Sequence, residues 1–144
     1  MEKIYICGNG GSAANANHIS NDLMLGLNKT KIGLPVISLC SNVAKITCIA
    51  NDLNYTKIFS NQIKSLCLPY DILIILSGSG NSKNILEAIY AAKKKMIILG
   101  MLGYDGGKAK KILKNFIHFD INDMQVSEDM QMICFNYIMK KFLN

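Results

Sequence analysis

Asp71–Ser82 reads DILIILSGSGNS, and this stretch decides the fold. Ile72–Leu76 is an unbroken apolar run, as expected of a strand buried on both faces. Gly78, Gly80 and the serines Ser77, Ser79 and Ser82 interrupt it. The apolar positions of the next segment, Ser82–Lys95, then recur at helical spacing, with Ile85, Leu86, Ile89 and Ala92 on one face. The same order repeats outward in both directions. Lys3–Gly8, Pro35–Cys40, Met96–Leu102 and Asn115–Ile121 read as strands, the second entered through a Gly-Leu-Pro turn. Ser12–Leu27, Asn42–Asn51 (with Ser41 as N-cap), Tyr55–Leu66, Gly106–Leu113 and Gln125–Phe142 read as helices. This alternation predicts a parallel sheet with helices on both faces. The 144 residues fit one domain, 1–144, without linker, repeat or low-complexity segment.

Composition removes several function classes. Half of the residues are hydrophobic and 18% are charged, which excludes a disordered chain. The longest uncharged apolar runs, Ile72–Leu76 and Met96–Leu102, fall far short of the ~18–20 residues a membrane span needs. Met1–Gly8 has no long apolar region or small-residue cleavage site, so no signal peptide and no membrane partner are expected. The net charge is +6, and every cation is Lys. Nucleic-acid readers rely on Arg forks, so nucleic acid is not an expected partner. Lys93–Lys95, Lys108–Lys114 and Lys140–Lys141 read as solvated helix ends, with an anionic ligand or surface as the alternative. The five cysteines, Cys7, Cys40, Cys48, Cys67 and Cys134, form no C-x-x-C pair and read as reduced core thiols of a cytoplasmic protein rather than metal ligands or disulfides.

In an open parallel sheet, ligands bind outside the carboxyl ends of the strands. Two loops there carry chemistry. Gly8-Asn9-Gly10-Gly11-Ser12-Ala13-Ala14 follows a strand and opens a helix; its glycines permit positive φ and close approach of a ligand to a helix N-terminus. Gly8-x-Gly10-x-x-Ala13 also fits the dinucleotide pattern formally. That pattern wants an acid at the end of the second strand, where this chain has Leu39-Cys40-Ser41. A purely structural turn is the other reading. In Ser77–Ser82, three hydroxyls and successive backbone N–H groups can surround a phosphate without formal charge. Ser82 is at the same time a natural helix cap. A Walker loop is excluded, because Ala109 follows Gly107-Lys108 and Leu102 stands where the first glycine belongs.

These motifs resemble those of the sugar isomerase (SIS) domain family, and within it the phosphoheptose isomerase group. GNGGSAANANHISNDL at Gly8–Leu23, IANDLNYTKIF at Ile49–Phe59, SGSGNSKNILEAIYAAK at Ser77–Lys93 and GYDGGKAKKI at Gly103–Ile112 carry the resemblance. It implies a three-layer αβα sandwich, flavodoxin-like and doubly wound, with a five-stranded parallel sheet. It also implies a phosphorylated sugar as ligand, and homodimers or homotetramers whose subunits share sites. Carried over by position, Ser77, Gly78, Ser79 and Ser82 would hold the phosphate. The family usually has Thr where Gly78 stands, so one hydroxyl is missing. Asn9, Gly10, Gly11 and Ser12 would line the sugar, together with Gln125. Asn51 and Asp52 would bind sugar hydroxyls or order their loop. Relatives usually carry helices before the first strand, whereas this chain starts almost directly at it. The apolar face of the first helix would then stay exposed.

The implied reaction interconverts a ketose phosphate and an aldose phosphate: sedoheptulose 7-phosphate to D-glycero-D-manno-heptose 7-phosphate, for lipopolysaccharide or capsule. It needs a base that moves a proton between adjacent carbons and a partner that polarises the oxygen. By resemblance the catalytic set is His18, Asp22 and Glu128. Asp22 replaces a Glu one methylene longer, Gln131 stands where many relatives have His, and Asn136 stands where the family has a second His. Asn is not a base at neutral pH. Zinc is the cofactor the resemblance allows, through His18, Asp22 and Glu128, and Asn136 weighs against a closed zinc site. The bland readings are a solvent-facing or subunit-contact role for His18, exposed helix acids for Glu128 and Asp129, and a structural His118. Two functions therefore stand: a phosphosugar isomerase, and a phosphosugar-binding module with slow or no turnover.

Overall fold

A computed structural model describes residues 2–25 and 34–143. β1 (Ile4–Cys7), β2 (Val36–Ser38), β3 (Ile72–Ser77), β4 (Ile97–Leu102) and β5 (Asn115–His118) form one parallel sheet in the order β2-β1-β3-β4-β5. The α-helices of the described residues are α1 (Gly11–Leu25), α2 (Val43–Asp52), α3 (Ile58–Leu66), α4 (Lys83–Ala92), α5 (Gly107–Ile112) and α6 (Met124–Leu143). α1 packs with α6 over one face, while α3, α4 and α5 lie together over the other. The expected three-layer sandwich is therefore present, with the flavodoxin-like strand order.

The central strand is the one that the apolar run announced. β3 pairs with both β1 and β4, and Leu73, Ile75 and Leu76 are fully buried. Ile85, Ala88, Ile89 and Ala92 of α4 close over it from one side, and Ala16, Ile19 and Leu23 of α1 are buried from the other. The apolar face of α1 is thus covered by its own chain, against expectation, because α6 supplies Phe135 and Met139 to the same core. Exposed apolar side chains remain at the end of α1, at Met24 and Leu25, and elsewhere, including Val43 and Leu53 around α2 and Ile133 and Tyr137 on α6. Cys48 is exposed as well, and so does not meet the expectation of a core thiol.

Local chemistry moved some boundaries. Asn42, not Ser41, caps α2: its Oδ1 accepts from the Lys45 N–H at 2.9 Å, while the Ser41 hydroxyl donates to the Ser38 carbonyl at 2.9 Å. The helix expected over Tyr55–Leu66 begins with a 3-10 turn at Tyr55–Lys57, capped by Asn54. Leu27 and Gly33 lie outside the described residues. His118 is structural, as expected, with Nε2 against the Tyr104 carbonyl at 2.8 Å and Nδ1 beside Lys110 Nζ at 3.1 Å. No helix among the described residues is long and apolar enough to cross a membrane.

Candidate functional site

The strand order reverses between β1 and β3, and the loops that leave these two strands face each other there. In the β3–α4 loop, Ser77 Oγ accepts the Gly80 N–H at 3.1 Å and Ser79 Oγ accepts the Asn81 N–H at 3.2 Å. A hydroxyl oxygen that already accepts keeps its own proton to donate. Ser82 stands at the N-cap position of α4, yet its side chain makes no capping hydrogen bond, contrary to the expectation that it caps. The N–H groups of Lys83 and Asn84 consequently have no acceptor among the described residues. Ser77, Gly78, Ser79 and Ser82 wall one side of a cavity of about 60 Å³, and Asn9, Ser12, Leu76, Met124 and Glu128 wall the rest. The cavity wall therefore contains hydroxyl donors beside an open helix N-terminus, and no cationic side chain.

The loop is held from behind. Gly80 has φ +63°, and a Cβ there would overlap the Gly106 carbonyl. The Ala109 N–H donates to the Gly80 carbonyl at 2.9 Å, and the Lys108 N–H donates to Asn81 Oδ1 at 3.0 Å. Engaging these acceptors from the α5 side turns them away from the cavity. Across the crevice, Asn9 and Asn84 exchange amide hydrogen bonds of 2.8 and 2.7 Å, and the Tyr55 hydroxyl donates to Asn9 Oδ1 at 3.1 Å. The Asn9 amide thus couples the β1–α1 and β3–α4 loops.

α6 forms the remaining wall. Glu128 Oε1 accepts the Ser12 N–H at 2.9 Å, so a carboxylate from α6 sits at the positive end of α1. Gln131, fully buried, donates to Ser12 Oγ at 3.2 Å and accepts from Asn15 Nδ2 at 3.1 Å. A Cβ on Gly11 would overlap the Glu128 carboxylate, one on Gly78 the Met124 sulfur, and one on Gly103 the Ser127 hydroxyl. Met124, Ser127 and Glu128 share one face of α6. The close approach that Gly11 permits is therefore to α6 rather than to a ligand; Gly10, at φ +56°, makes the turn itself.

Other expected site residues lie apart from this cavity. His18 Nε2 and Asp22 Oδ2 are 3.1 Å apart on α1, with the His18 side chain 61% exposed. Among the described residues, no three His, Cys, Asp or Glu side chains gather as metal ligands. Among the described residues of one chain, His18, Asp22 and Glu128 are therefore not brought together as a zinc site. Asn51 and Asp52 are exposed at the end of α2, outside the cavity wall. The Asn51 amide donates to Asp52 at 2.9 Å and the Cys48 thiol at 3.3 Å, and these bonds hold the Asp52 carboxyl below its ordinary value. Gln125 and Asn136 are exposed on α6. Burial pushes the Cys7 and Cys40 thiols up, so they remain protonated and are poor ligands or nucleophiles.

The sequence pattern of the SIS domain matches residues 1–103. The chain belongs to the SIS domain family. It is 43% identical over 112 residues to a phosphoheptose isomerase of Chromohalobacter salexigens, covering 77% of this chain and 57% of that protein. It is 42% identical over 125 residues to one of Shewanella sediminis, covering 86% of this chain and 60% of that one. The chain thus spans less than two thirds of the length of these curated relatives. The structure of a phosphoheptose isomerase from Neisseria gonorrhoeae superposes with a TM-score of 0.89 at 31% identity, over 96% of this chain and 74% of that one. One from Francisella tularensis gives 0.91 at 26% identity, over 96% and 75%.

In this SIS domain, sequence reasoning missed Asn84, Tyr55, Asn15 and Met124 as parts of the site. Asn84 left a signal: a polar residue one position before Ile85, on a helix whose buried face is otherwise apolar. Met124 left none, because its partner Gly78 is far away in the chain.

Proposed function

We propose that this chain binds a phosphorylated sugar at the β1/β3 switch point and interconverts its ketose and aldose forms. The names of the relatives favour sedoheptulose 7-phosphate and D-glycero-D-manno-heptose 7-phosphate as the pair. Heptose supply for surface polysaccharide in the cytoplasm is the matching role. One observation carries the reading: among the described residues, the Lys83 and Asn84 N–H groups at the start of α4 are left open although a serine stands at the cap position, Asn84 Oδ1 taking only the Ile85 N–H. Open N–H groups and free hydroxyl protons suit a phosphate dianion. The cavity is small, about 60 Å³, which suits the phosphoryl end of the ligand. The sugar carbons then extend past Ser12 and Glu128. In this reading a carboxylate, Glu128 or Asp22, takes the proton from C1 and returns it to C2, while the O1 proton passes to O2.

His18 and Asp22 enter the reaction only across a contact with another copy. A homodimer or homotetramer with shared sites is therefore part of the proposal, and the apolar side chains exposed around α2 and on α6 offer surface for it. No step runs through zinc.

The second reading, a phosphosugar-binding module with little turnover, is favoured by Asn136 and by the separation of the His18–Asp22 pair from the cavity. Calorimetric titration with sedoheptulose 7-phosphate, paired with an aldose assay with and without added zinc, decides between them. Binding with turnover supports the isomerase. Binding without turnover leaves the module, and the absence of both binding and turnover sinks both readings. With Glu128 as that carboxylate, Glu128→Gln is expected to abolish turnover while retaining binding.

A further inference from the structure

Every large side chain in the cavity wall but one is fixed by hydrogen bonds or by burial in the core. Ser77 and Ser79 accept N–H groups of their own loop, and that loop is braced by Lys108 and Ala109. Asn9 is held by Asn84 and Tyr55. Ser12 and Glu128 are held by each other, and Ser12 also by Gln131. Met124 is the exception. Its unbranched thioether makes no hydrogen bond, rotates about three bonds, and sits in the volume that a side chain on residue 78 would fill. It is also part of the cavity wall.

From this we infer that Met124 is a specificity-determining residue: the adjustable wall that sets how large a tetrahedral anion the Ser77–Ser82 cradle accepts. The inference rests on the phosphosugar reading of the same cavity. Positions 78 and 124 share one volume, so a side chain can occupy it from either position but not from both. With Gly at 78, the thioether covers the Gly78 backbone and keeps water from that side of the anion. The cradle then fits a phosphoryl group and rejects a larger oxyanion. With the thioether cut back, the cavity widens without any loss of hydrogen-bond donors.

The test is titration calorimetry of the full chain with inorganic phosphate and with molybdate, a larger tetrahedral oxyanion, at mildly alkaline pH. Wild type is expected to prefer phosphate. Met124→Ala should move the phosphate-to-molybdate affinity ratio toward molybdate by about tenfold or more. Gly78→Ala should weaken phosphate binding by about tenfold or more, because the new methyl meets the Met124 sulfur. Gly78→Ala with Met124→Ala should recover most of that loss. An unchanged ratio in Met124→Ala, or a double variant no better than Gly78→Ala, overturns the inference while leaving the phosphosugar reading intact. If wild type binds neither oxyanion nor sedoheptulose 7-phosphate, the underlying reading fails instead, and this inference with it.

Discussion

The β3–α4 loop and the outer stripe of α1 carry the two groups of residues expected to do the chemistry, and they are built in opposite ways. In the loop, acceptors are engaged from the α5 side, a positive-φ glycine lies against a neighbouring carbonyl, and donors face the cavity. On α1, His18 and Asp22 touch each other and water. An anion cradle must be preorganised within one chain, because its donors are mostly main-chain groups whose direction the fold sets. Side chains on an outward helix face need no such preparation, and a second surface can complete them.

The largest effect should come from breaking the rigid side. Gly80→Ala adds a Cβ onto the Gly106 carbonyl at a backbone φ of +63°. A left-handed conformation at a residue with a Cβ costs ~1–2 kcal/mol, and overpacking against backbone adds ~1–3. Urea unfolding should therefore show a loss of about 2–5 kcal/mol. A loss below about 1 kcal/mol would mean that the loop is loosely held and that the contrast with α1 is illusory.

Ser82 sharpens the same contrast. As Ser82 caps nothing, Ser82→Ala should leave the urea midpoint almost unchanged. It should cost the phosphosugar a hydrogen bond to a charged group, worth ~1.5–3 kcal/mol, or roughly 10- to 150-fold in affinity. Asn42→Ala is the mirror experiment. Asn42 does cap α2, so this change should lower stability by about 1 kcal/mol without altering affinity. Equal stability losses in the two variants would show that Ser82 is an ordinary cap.

How much of this was legible in the sequence follows from the range of each interaction. DILIILSGSGNS announces its strand, turn and helix because burial, breaker residues and helical period all act within a dozen residues. Ser82 is ambiguous in sequence, since capping and anion binding use the same hydroxyl; the conformation of the turn decides. Gly11 reads in sequence as room for a ligand and Gly78 as part of the phosphate cradle, and the structure sets Glu128 against the first and Met124 against the second. That contact joins segments at opposite ends of the chain, and no local pattern encodes it. The outward stripe of α1 was legible as a His–Asp pair one turn apart, but not its distance from the cradle.

A smaller effect is expected at the opposite end of the strands. Burial pushes the Cys67 thiol up to about 11 and the Tyr5 hydroxyl up to about 12. Both groups are neutral when protonated, and folding holds the proton on. Their stabilising contribution is therefore full below the ordinary value of the thiol, 9.0, and is lost as pH rises through about 11 and 12. The urea midpoint should fall between pH 9 and pH 11, and Cys67→Ala should flatten part of that fall. A midpoint constant across this window would show that the end of the sheet near Leu66 is open to water.

The smallest effect on folding belongs to the other half of the comparison. His18 and Asp22 form an exposed i,i+4 pair, and such pairs contribute ~0.3–0.5 kcal/mol, with many surface pairs contributing nothing measurable. Asp22→Asn should shift the urea midpoint by no more than this, and phosphosugar affinity by less than Ser82→Ala does. The informative readout is turnover per site as protein concentration is raised. If a second copy delivers His18 and Asp22 to the cradle, activity rises with assembly, and Asp22→Asn abolishes it at every concentration while phosphosugar binding persists. Turnover that survives Asp22→Asn would leave Glu128, already lodged against Ser12 inside the cavity, as the carboxylate able to move the proton. The rigid half of the molecule would then contain the chemistry as well as the grip.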